Sequence, residues 1–378
     1  MPTLRDATTP SRTRQTALRQ AYAANMAQGL APYAGVHLRT YGEVQWILHE
    51  HQWSGDILLP EGFARANLSG AIFEEAHLGD ITLYEADLHD ARLFLADVSG
   101  AEWRNANLSG AYLSSANLHA ANLSGANLTD ANLSGADCSE ANLSSANLSG
   151  AHLDLTRLDG ADLRYATMSP TTLFVNTQLT PTTKLRNVQW RGADVSRIDW
   201  QQVTRLGDEA LLSHSEVRSV RTIQYREMAR TYRMLVLLLK SQGIDLAASR
   251  FRLYEHRWER RAQQAEGNIG GWFFSWLLDI VAGYGEQPGK TFAAYVVVIV
   301  SFAGLYSSVT QSGKTHLSKL TWDEALVLSL TSFHGRGFFP GALSLGDWVV
   351  RLGALEAVIG LFIELILIAT FSRRFLGS

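Results

Sequence analysis

The chain has 378 residues, a formal net charge of −3 and a hydrophobic fraction of 46%, a length at which we expect two or three domains. Its single cysteine excludes a disulfide framework and any cysteine-rich metal site, and its net charge excludes a nucleic-acid-binding protein recognisable by bulk charge. Residues 1–54 contain basic side chains but no apolar signal-peptide core, so we expect a helical or flexible segment there.

A five-residue repeat follows. From Leu68 to Met168 every fifth residue is large and apolar, or a cysteine at Cys138, and the residue two before it is alanine in 19 of 21 cases; Ile81 and Thr156 are the exceptions. A period of five fits neither an α-helix nor an ordinary strand. It predicts a four-sided solenoid in which the alanines and the large apolar residues point inward. Cys138 takes an inward position, and we expect a buried, unreactive thiol.

The consensus unit is Ala-Asn-Leu-Ser-Gly. It resembles the pentapeptide-repeat family over residues 66–168, and the resemblance implies that family's right-handed quadrilateral β-helix over residues 55–200. After a Pro/Thr-rich break at residues 168–183, five-residue spacing returns at Leu185, Trp190, Val195 and Trp200. We predict that these residues form a last coil or cap that closes the end of the solenoid.

The solenoid is acidic. Residues 61–168 contain 15 Asp and Glu against 5 Arg, a local charge of −10. Some pentapeptide-repeat proteins mimic DNA through such a surface. A solvated face, or a docking surface for a cytoplasmic protein, is favoured here because the sequence that follows indicates a membrane, and no nucleic-acid partner is expected.

Motifs for catalysis are missing from the sequence. It contains no Walker loop, no G-x-S-x-G and no H-E-x-x-H. His49 and His51 are two residues apart and diverge on a helix, so we predict no metal site there. We therefore expect a protein that is not an enzyme and that carries no cofactor.

Residues 205–264 predict a helical connector of two helices, Asp208–Lys240 and Leu246–Gln264, joined by a turn at Gly243. Its apolar spacing resembles one tetratricopeptide-like hairpin. Such a hairpin cannot bury its own apolar face, so we expect it to pack on the solenoid, a neighbouring subunit or the membrane domain. Its second helix carries a basic run that either faces solvent or contacts anionic lipid headgroups. The run consists of Arg250, Arg252, Arg257, Arg260 and Arg261.

Residues 268–287 predict an interfacial helix and a turn. The apolar stretch is too short to cross a bilayer but is rich in tryptophan and phenylalanine, which favours a position in the headgroup layer. The following Gly283-Tyr284-Gly285 copies the end of a potassium-channel filter. It precedes the first span, so we do not expect it to line a pore.

Residues 290–376 predict a membrane domain with two spans, 292–309 and 349–371. Lys290 precedes the first span and two arginines follow the second. This bias places both chain ends, and hence the N-terminal domains, on the cytoplasmic side of a plasma (inner) membrane.

Residues 321–340 predict a re-entrant pore helix and filter. Thr321 and Glu324 form a capping-box pattern before a short apolar helix, which ends at Gly335 and Gly337. Backbone that stops inside a membrane is tolerated where it lines a water-filled cavity.

Residues 320–375 resemble the two-span pore-loop module of potassium-channel-like proteins, whose filter reads T-V-G-Y-G. The alignment implies that Gly360 acts as a bend in the inner helix. Phe333 offers no filter hydroxyl and Arg336 replaces the tyrosine, so potassium selectivity is not expected, and anion or weakly selective cation passage both stay open. The implied filter residues are Ser332, Phe333, His334, Gly335, Arg336 and Gly337.

Two acids interrupt the second span. Our hypothesis places Glu356 behind the filter, where it neutralises Arg336, and Glu364 beside the inner cavity. The alternative is that either acid bonds a neighbouring subunit.

The sequence thus predicts a subunit of a homo-oligomeric ion channel in a lipid bilayer, a tetramer by analogy with the pore module. Small inorganic ions would permeate, and a cytoplasmic protein partner would dock on the solenoid. The alternative is a membrane-tethered scaffold that conducts nothing.

Overall fold

The chain is seen in a computed structural model, which describes residues 10–28, 33, 36–38, 41–50, 63–79, 81–212, 217–311, 320–335 and 348–375. It divides into two compact units. The first comprises Met1–His214 and Arg230–Phe251, and the second comprises Ser215–Ala229 and Arg252–Ser378. The repeats lie in the first unit and the apolar segments in the second.

The repeats form stacked coils of four five-residue sides. Each repeat contributes one parallel β-bridge to the residue 20 positions later, as between Asn67 and Asp87 and between Asp87 and Asn107. Backbone hydrogen bonds of 2.7 Å (Leu88 N to Asn107 O) and 2.9 Å (Asn107 N to Ala86 O) join successive coils. The predicted solenoid is confirmed.

The interior of the coils is narrow. Ala121 and Leu123 are almost completely buried, like their counterparts in neighbouring repeats. Ile81, which occupies an alanine position, stays half exposed. The hydrogen bond from Glu102 N to the Ile81 carbonyl measures 3.2 Å, against 2.9 Å for the equivalent bond to Ala86. A side chain larger than alanine does not fit inside without displacing the backbone.

The predicted break at residues 168–183 does not interrupt the solenoid. His152 pairs with Leu173, 21 residues later, and Asp162 pairs with Lys184, 22 residues later, so the coils continue with one or two extra residues. Threonines take the alanine positions there, and their hydroxyls donate to carbonyls of the preceding coil. The bonds are Thr172 to Leu148 (2.9 Å), Thr177 to Leu153 (2.8 Å) and Thr183 to Leu158 (2.8 Å).

Two short helices precede the coils: α1 (Arg12–Ala27) and α2 (Tyr41–Glu50). Arg14 of α1 pairs with Glu43 of α2 at 2.9 Å. His37, between the helices, forms a parallel bridge with Asn67 of the first coil. The N-terminal segment therefore pairs with the exposed edge of the solenoid.

The C-terminal cap extends past the predicted end at Trp200 to a 3₁₀ turn at Gly207–Leu211. The buried carboxylate of Asp208 accepts hydrogen bonds from the backbone N–H groups of Leu185 (2.6 Å) and Arg186 (3.1 Å). Burial raises the pKa of Asp208, although these two N–H groups oppose the rise. One acid thus satisfies the backbone of the last coil.

The connector is a pair of helices, α3 (Arg218–Ser241) and α4 (Asp245–Glu266). The first helix begins ten residues later than predicted because Asp208 belongs to the cap. Gly243 turns the chain with a φ of +74°. At this turn, Phe251 contacts Trp200 edge-on and the Tyr232 hydroxyl accepts from Leu206 N–H at 3.0 Å. The turn of the hairpin packs on the solenoid cap.

The second unit contains α5 (Ile269–Ala282), α6 (Pro288–Gln311), α7 (Trp322–Phe333) and α8 (Trp348–Phe375). The predicted spans lie within α6 and α8. Among the described residues, these two helices are long and apolar enough to cross a membrane, and only 28% and 22% of their apolar windows are buried.

Intrachain partners occupy the basic run. Arg252 pairs with Glu286 at 3.1 Å, and Arg260 pairs with the buried Asp279 of α5 at 3.0 Å. Arg257 lies 3.5 Å from the same carboxylate. The run is therefore an ion-pair network rather than a simple solvated face, and its contact with lipid headgroups stays a prediction.

Candidate functional site

The short helix α7 lies between the two long apolar helices. Its first turn is capped by Glu324, whose carboxylate accepts from Thr321 N–H at 2.8 Å. Its Ala325 and Leu328 are buried in a cluster with Tyr306 of α6 and Val349 of α8. A helix of 12 residues is about 18 Å long, which is well short of the roughly 30 Å hydrocarbon core of a bilayer.

The end of α7 lies against the middle of α8. Phe333, the last residue of α7, is buried with Ile299 of α6 and Ile363 of α8. Its carbonyl oxygen would lie 2.0 Å from a Cβ atom at Gly360, the thirteenth of the 28 residues of α8. Only glycine allows this approach. Gly360 therefore has a packing role in addition to the bend that the resemblance implies, and that bend stays a prediction.

These contacts fix the direction of α7. Its first turns pack near Val349, at the start of α8, and its last residue packs on Gly360. The two helices thus run in the same direction, and α7 stops where α8 is half complete. A chain that enters a membrane along α8 in this way would stop at mid-depth.

A buried polar group joins all three helices. Glu356 of α8 is completely buried, accepts a hydrogen bond from Tyr306 of α6 at 2.7 Å and contacts the hydroxyl of Ser329 of α7. That hydroxyl also lies 2.9 Å from the carbonyl of Ile299. A serine donates one hydrogen bond, so both contacts are satisfied when Glu356 carries a proton and donates to Ser329. A neutral acid avoids an unpaired buried charge.

A second cluster lies just beyond α7. His334 Nδ1 is 2.7 Å from the carbonyl of Leu330, and its Nε2 is 3.2 Å from Tyr295 Oη and 3.4 Å from Glu364 Oε1. The side chains of His334 and Glu364 are 39% and 33% exposed. The structure thus brings together two predicted site residues and adds Tyr295.

The remaining predicted site residues are placed as follows. Ser332 is buried on α7, and Gly335 turns the chain with a φ of +67°, which favours glycine. Phe333, aligned with a filter threonine, instead directs its side chain into the core of its own unit. Arg336 and Gly337 lie outside the described residues, and so does the expected pairing of Arg336 with Glu356.

The sequence analysis did not single out Tyr306, Ser329 or Tyr295. All three are polar side chains inside otherwise apolar segments, which is the signal that would have found them. Their partners lie on other helices, so their roles depend on how the helices pack.

Comparisons with known proteins identify the solenoid. The sequence profile of pentapeptide repeats matches residues 63–100, 91–130, 126–164 and 136–173. A pentapeptide-repeat protein of known structure from Nostoc sp. strain PCC 7120 is 30% identical, and the match covers 33% of this chain and 84% of that chain, with a TM-score of 0.15. This chain belongs to the pentapeptide-repeat family.

Two further pentapeptide-repeat structures are similar. HetL, involved in heterocyst differentiation regulation in the same Nostoc strain, is 26% identical over 36% of this chain and 75% of its own, with a TM-score of 0.28. A protein of the Arabidopsis thaliana thylakoid lumen is 32% identical over 28% of this chain and 65% of its own, with a TM-score of 0.21. No curated protein matches the chain. The pentapeptide-repeat profile ends at residue 173, so it describes the solenoid and leaves α5 to α8 to physical argument.

Proposed function

We propose that this pentapeptide-repeat protein is a subunit of a homo-oligomeric ion channel in the plasma (inner) membrane, with the solenoid in the cytoplasm. One observation carries the proposal. The helix α7 is too short to cross a bilayer, lies between two helices that are long enough, and ends at the middle of α8. This is the arrangement expected of a re-entrant pore helix.

The distribution of polarity supports a lipid environment. The helix α8 buries Glu356 and Thr370 and exposes a row of large apolar side chains, the reverse of a helix on a water-soluble protein. Lipid, or other copies of the chain, would cover this row. Its members are Leu355, Val358, Leu361, Leu365 and Ile368.

An oligomer follows from the number of spans. Two spans and one short helix cannot enclose an aqueous path, and closed symmetry is the usual way to complete one. The exposed apolar side chains Val327 and Leu330 of α7 are available to neighbouring copies. We expect a tetramer, by analogy with the pore-loop module.

Selectivity for potassium is not part of the proposal. Phe333 supplies no hydroxyl to a filter, and its side chain is buried within the second unit. Anion passage governed by Arg336, or weakly selective cation passage governed by Glu364, remain the two forms of the proposal. Reversal potentials in asymmetric KCl, measured before and after Arg336→Ala, distinguish them, and an unchanged permeability ratio would exclude a role for Arg336.

A scaffold without conduction is the second candidate. It is favoured by the burial of Phe333 and Glu356, which leaves both side chains engaged within one chain. In this case the membrane segment would serve to tether the acidic solenoid and its protein partner.

Ion flux tests the two candidates directly. The full chain is reconstituted into liposomes, and K⁺ and Cl⁻ flux are compared with protein-free liposomes. Flux above that background supports the channel. If inserted, oligomeric protein gives no flux for either ion, the scaffold is the better function.

Cysteine labelling tests the position of α7. The native Cys138 is buried, and burial raises the pKa of its thiol to about 12, so a cysteine introduced elsewhere can be labelled selectively. In liposomes, Leu330→Cys should be protected from a membrane-impermeant reagent, whereas Ser241→Cys, at the exposed end of α3, should react once the cytoplasmic side is accessible. Ready labelling of Leu330→Cys in intact liposomes would contradict a re-entrant α7.

A further inference from the structure

We infer that His334 and Glu364 form a binding site for a divalent transition-metal cation, with Zn²⁺ as the best match. Imidazole nitrogen and carboxylate oxygen are established ligands of this ion. The inference concerns binding alone and does not depend on ion conduction, so it can be tested whether or not the chain is a channel.

The hydrogen bonds of His334 leave the correct nitrogen for a metal. Nδ1 lies 2.7 Å from the carbonyl of Leu330, and a carbonyl accepts only, so we assign the proton to Nδ1. Nε2 then carries the lone pair. Histidines that bind metals usually donate their other ring N–H to a carbonyl or a carboxylate in this way, which fixes the orientation of the ring.

The two donor atoms have the separation that a tetrahedral ion requires. His334 Nε2 and Glu364 Oε1 are 3.4 Å apart. Bonds of about 2.1 Å from Zn²⁺ to nitrogen and oxygen, at a tetrahedral angle, place two ligand atoms about 3.4 Å apart. A cation can therefore bind both atoms with little movement of either side chain.

Three helices hold the pair in place. The His334 ring packs edge-on against Tyr295 of α6, with ring centroids 5.9 Å apart, and against the buried Phe333 at 5.5 Å. Glu364 lies one helical turn after Gly360, where α8 contacts the end of α7. Tyr295 Oη, 3.2 Å from Nε2, would turn from the nitrogen to a metal-bound water.

The site is accessible and incomplete within one chain. Both side chains are about one-third exposed or more, so an ion can enter. Among the described residues, no group of three or more His, Cys, Asp or Glu could hold a metal. Water, or the same residues of another copy, must supply the remaining ligands, and we expect a site of moderate affinity.

The solenoid provides a matched control. His89 Nε2 lies 3.0 Å from Asp90 Oδ2, its Nδ1 lies 2.9 Å from the Ser109 carbonyl, and both side chains of the pair are more than half exposed. This pair joins adjacent residues on an open surface and is not held between helices. We expect it to contribute little to Zn²⁺ binding.

The experiment is a titration of the purified full chain in detergent with Zn²⁺, followed by calorimetry, and with Co²⁺, followed by its visible absorption. His334→Gln and Glu364→Gln should each weaken one Zn²⁺ equivalent per chain at least tenfold, and His89→Gln should leave it unchanged. Glu364→His, which supplies another ligand, should restore binding and exclude a mere loss of folding. Equal binding by His334→Gln and the native chain, or no Zn²⁺ binding by the native chain, would overturn the inference.

Discussion

The solenoid and the α6–α8 region bury opposite kinds of side chain. In the solenoid the buried positions are alanine and leucine, and the outward positions carry asparagine, serine and aspartate. In α8 the buried positions include Glu356 and Thr370, and large aliphatic side chains such as Val358 point outward. The difference teaches that one chain is built for two solvents, water around the coils and an apolar medium around the long helices.

Small residues serve both regions, but in different ways. In the solenoid, alanine recurs at every side because the interior has one width throughout. In the helical region a single glycine, Gly360, permits one close contact. If this comparison is correct, enlarging either residue should be costly, and the cost should depend on whether backbone or side chain blocks the new atoms.

The largest effect is expected for Gly360→Ala. The new Cβ would lie 2.0 Å from the Phe333 carbonyl oxygen, so α7 and α8 must separate, and we expect a loss of at least about 3 kcal/mol in the free energy of unfolding. Gly304→Ala is the control, because its Cβ would lie 3.9 Å from the nearest Trp322 atom, and it should be tolerated. Chemical denaturation in detergent measures both. Equal stability of the two variants would show that the close contact is absent.

A similar but smaller loss is expected for Ala121→Leu in the solenoid. Ala121 is 1% exposed, and three added carbon atoms should destabilise the coil by about 2 to 3 kcal/mol. Ile81→Ala should act in the opposite direction and stabilise by up to about 1 kcal/mol, because it relieves the half-exposed isoleucine. Denaturation midpoints of the full chain compare the two. A loss in Ile81→Ala would mean that the interior is wider at that coil.

The buried polar group of the helical region gives the next effect. Glu356→Leu leaves the hydroxyls of Tyr306 and Ser329 without their acceptor, so we expect a loss of about 2 kcal/mol. Glu356→Gln retains an acceptor and should lose less. A double-mutant cycle with Tyr306→Phe should show a coupling of about 1 kcal/mol. Additive losses would indicate that the hydroxyl and the acid do not interact.

The smallest effects concern two aspartates of the solenoid with opposite pH dependence. Burial tends to raise the pKa of Asp162, but hydrogen bonds from Arg164 and the charges of Arg164 and Lys184 lower it overall, whereas burial raises the pKa of Asp208. Asp162 therefore stabilises the fold above its ordinary pKa of about 3.9, and this contribution is lost as pH falls through its lowered value. The contribution of Asp208 is greatest below about pH 3.9 and is lost as pH rises through its raised value.

Asparagine substitutions separate the two aspartates. Asp162→Asn should lower stability at neutral pH by about 1 kcal/mol or less and flatten the loss at acid pH. Asp208→Asn should remove the decline with rising pH. Urea midpoints between pH 3 and 7 measure both slopes, and slopes of the same sign would contradict the assignment.

The solenoid could be predicted from the sequence because every repeat has the same surroundings, so its five-residue period is itself the structure. The break predicted at residues 168–183 was wrong for a physical reason. Thr177 and Thr183 are polar and flank a proline, which is typical of a loop, yet their hydroxyls are satisfied by carbonyls 24 and 25 residues earlier. No local pattern reports a partner in the preceding coil.

The helical region was predictable as elements and not as contacts. Length and apolar composition locate α6 and α8, and the capping pattern at Thr321 locates the start of α7. The contact of Gly360 with Phe333, and the grouping of Glu356 with Tyr306, arise only when three helices pack. A tyrosine and a serine inside apolar segments have no visible partner in the linear sequence.

The change of coil size along the solenoid has a consequence for self-association. Successive coils contain 20, then 21, then 22 residues, so the perimeter grows toward the C-terminal end, while the first coil is already paired with His37. The two end faces therefore differ in outline as well as in available hydrogen-bonding groups. We expect that copies of this rod cannot add head to tail into an indefinite fibre, a hazard that any stack of identical open coils would face.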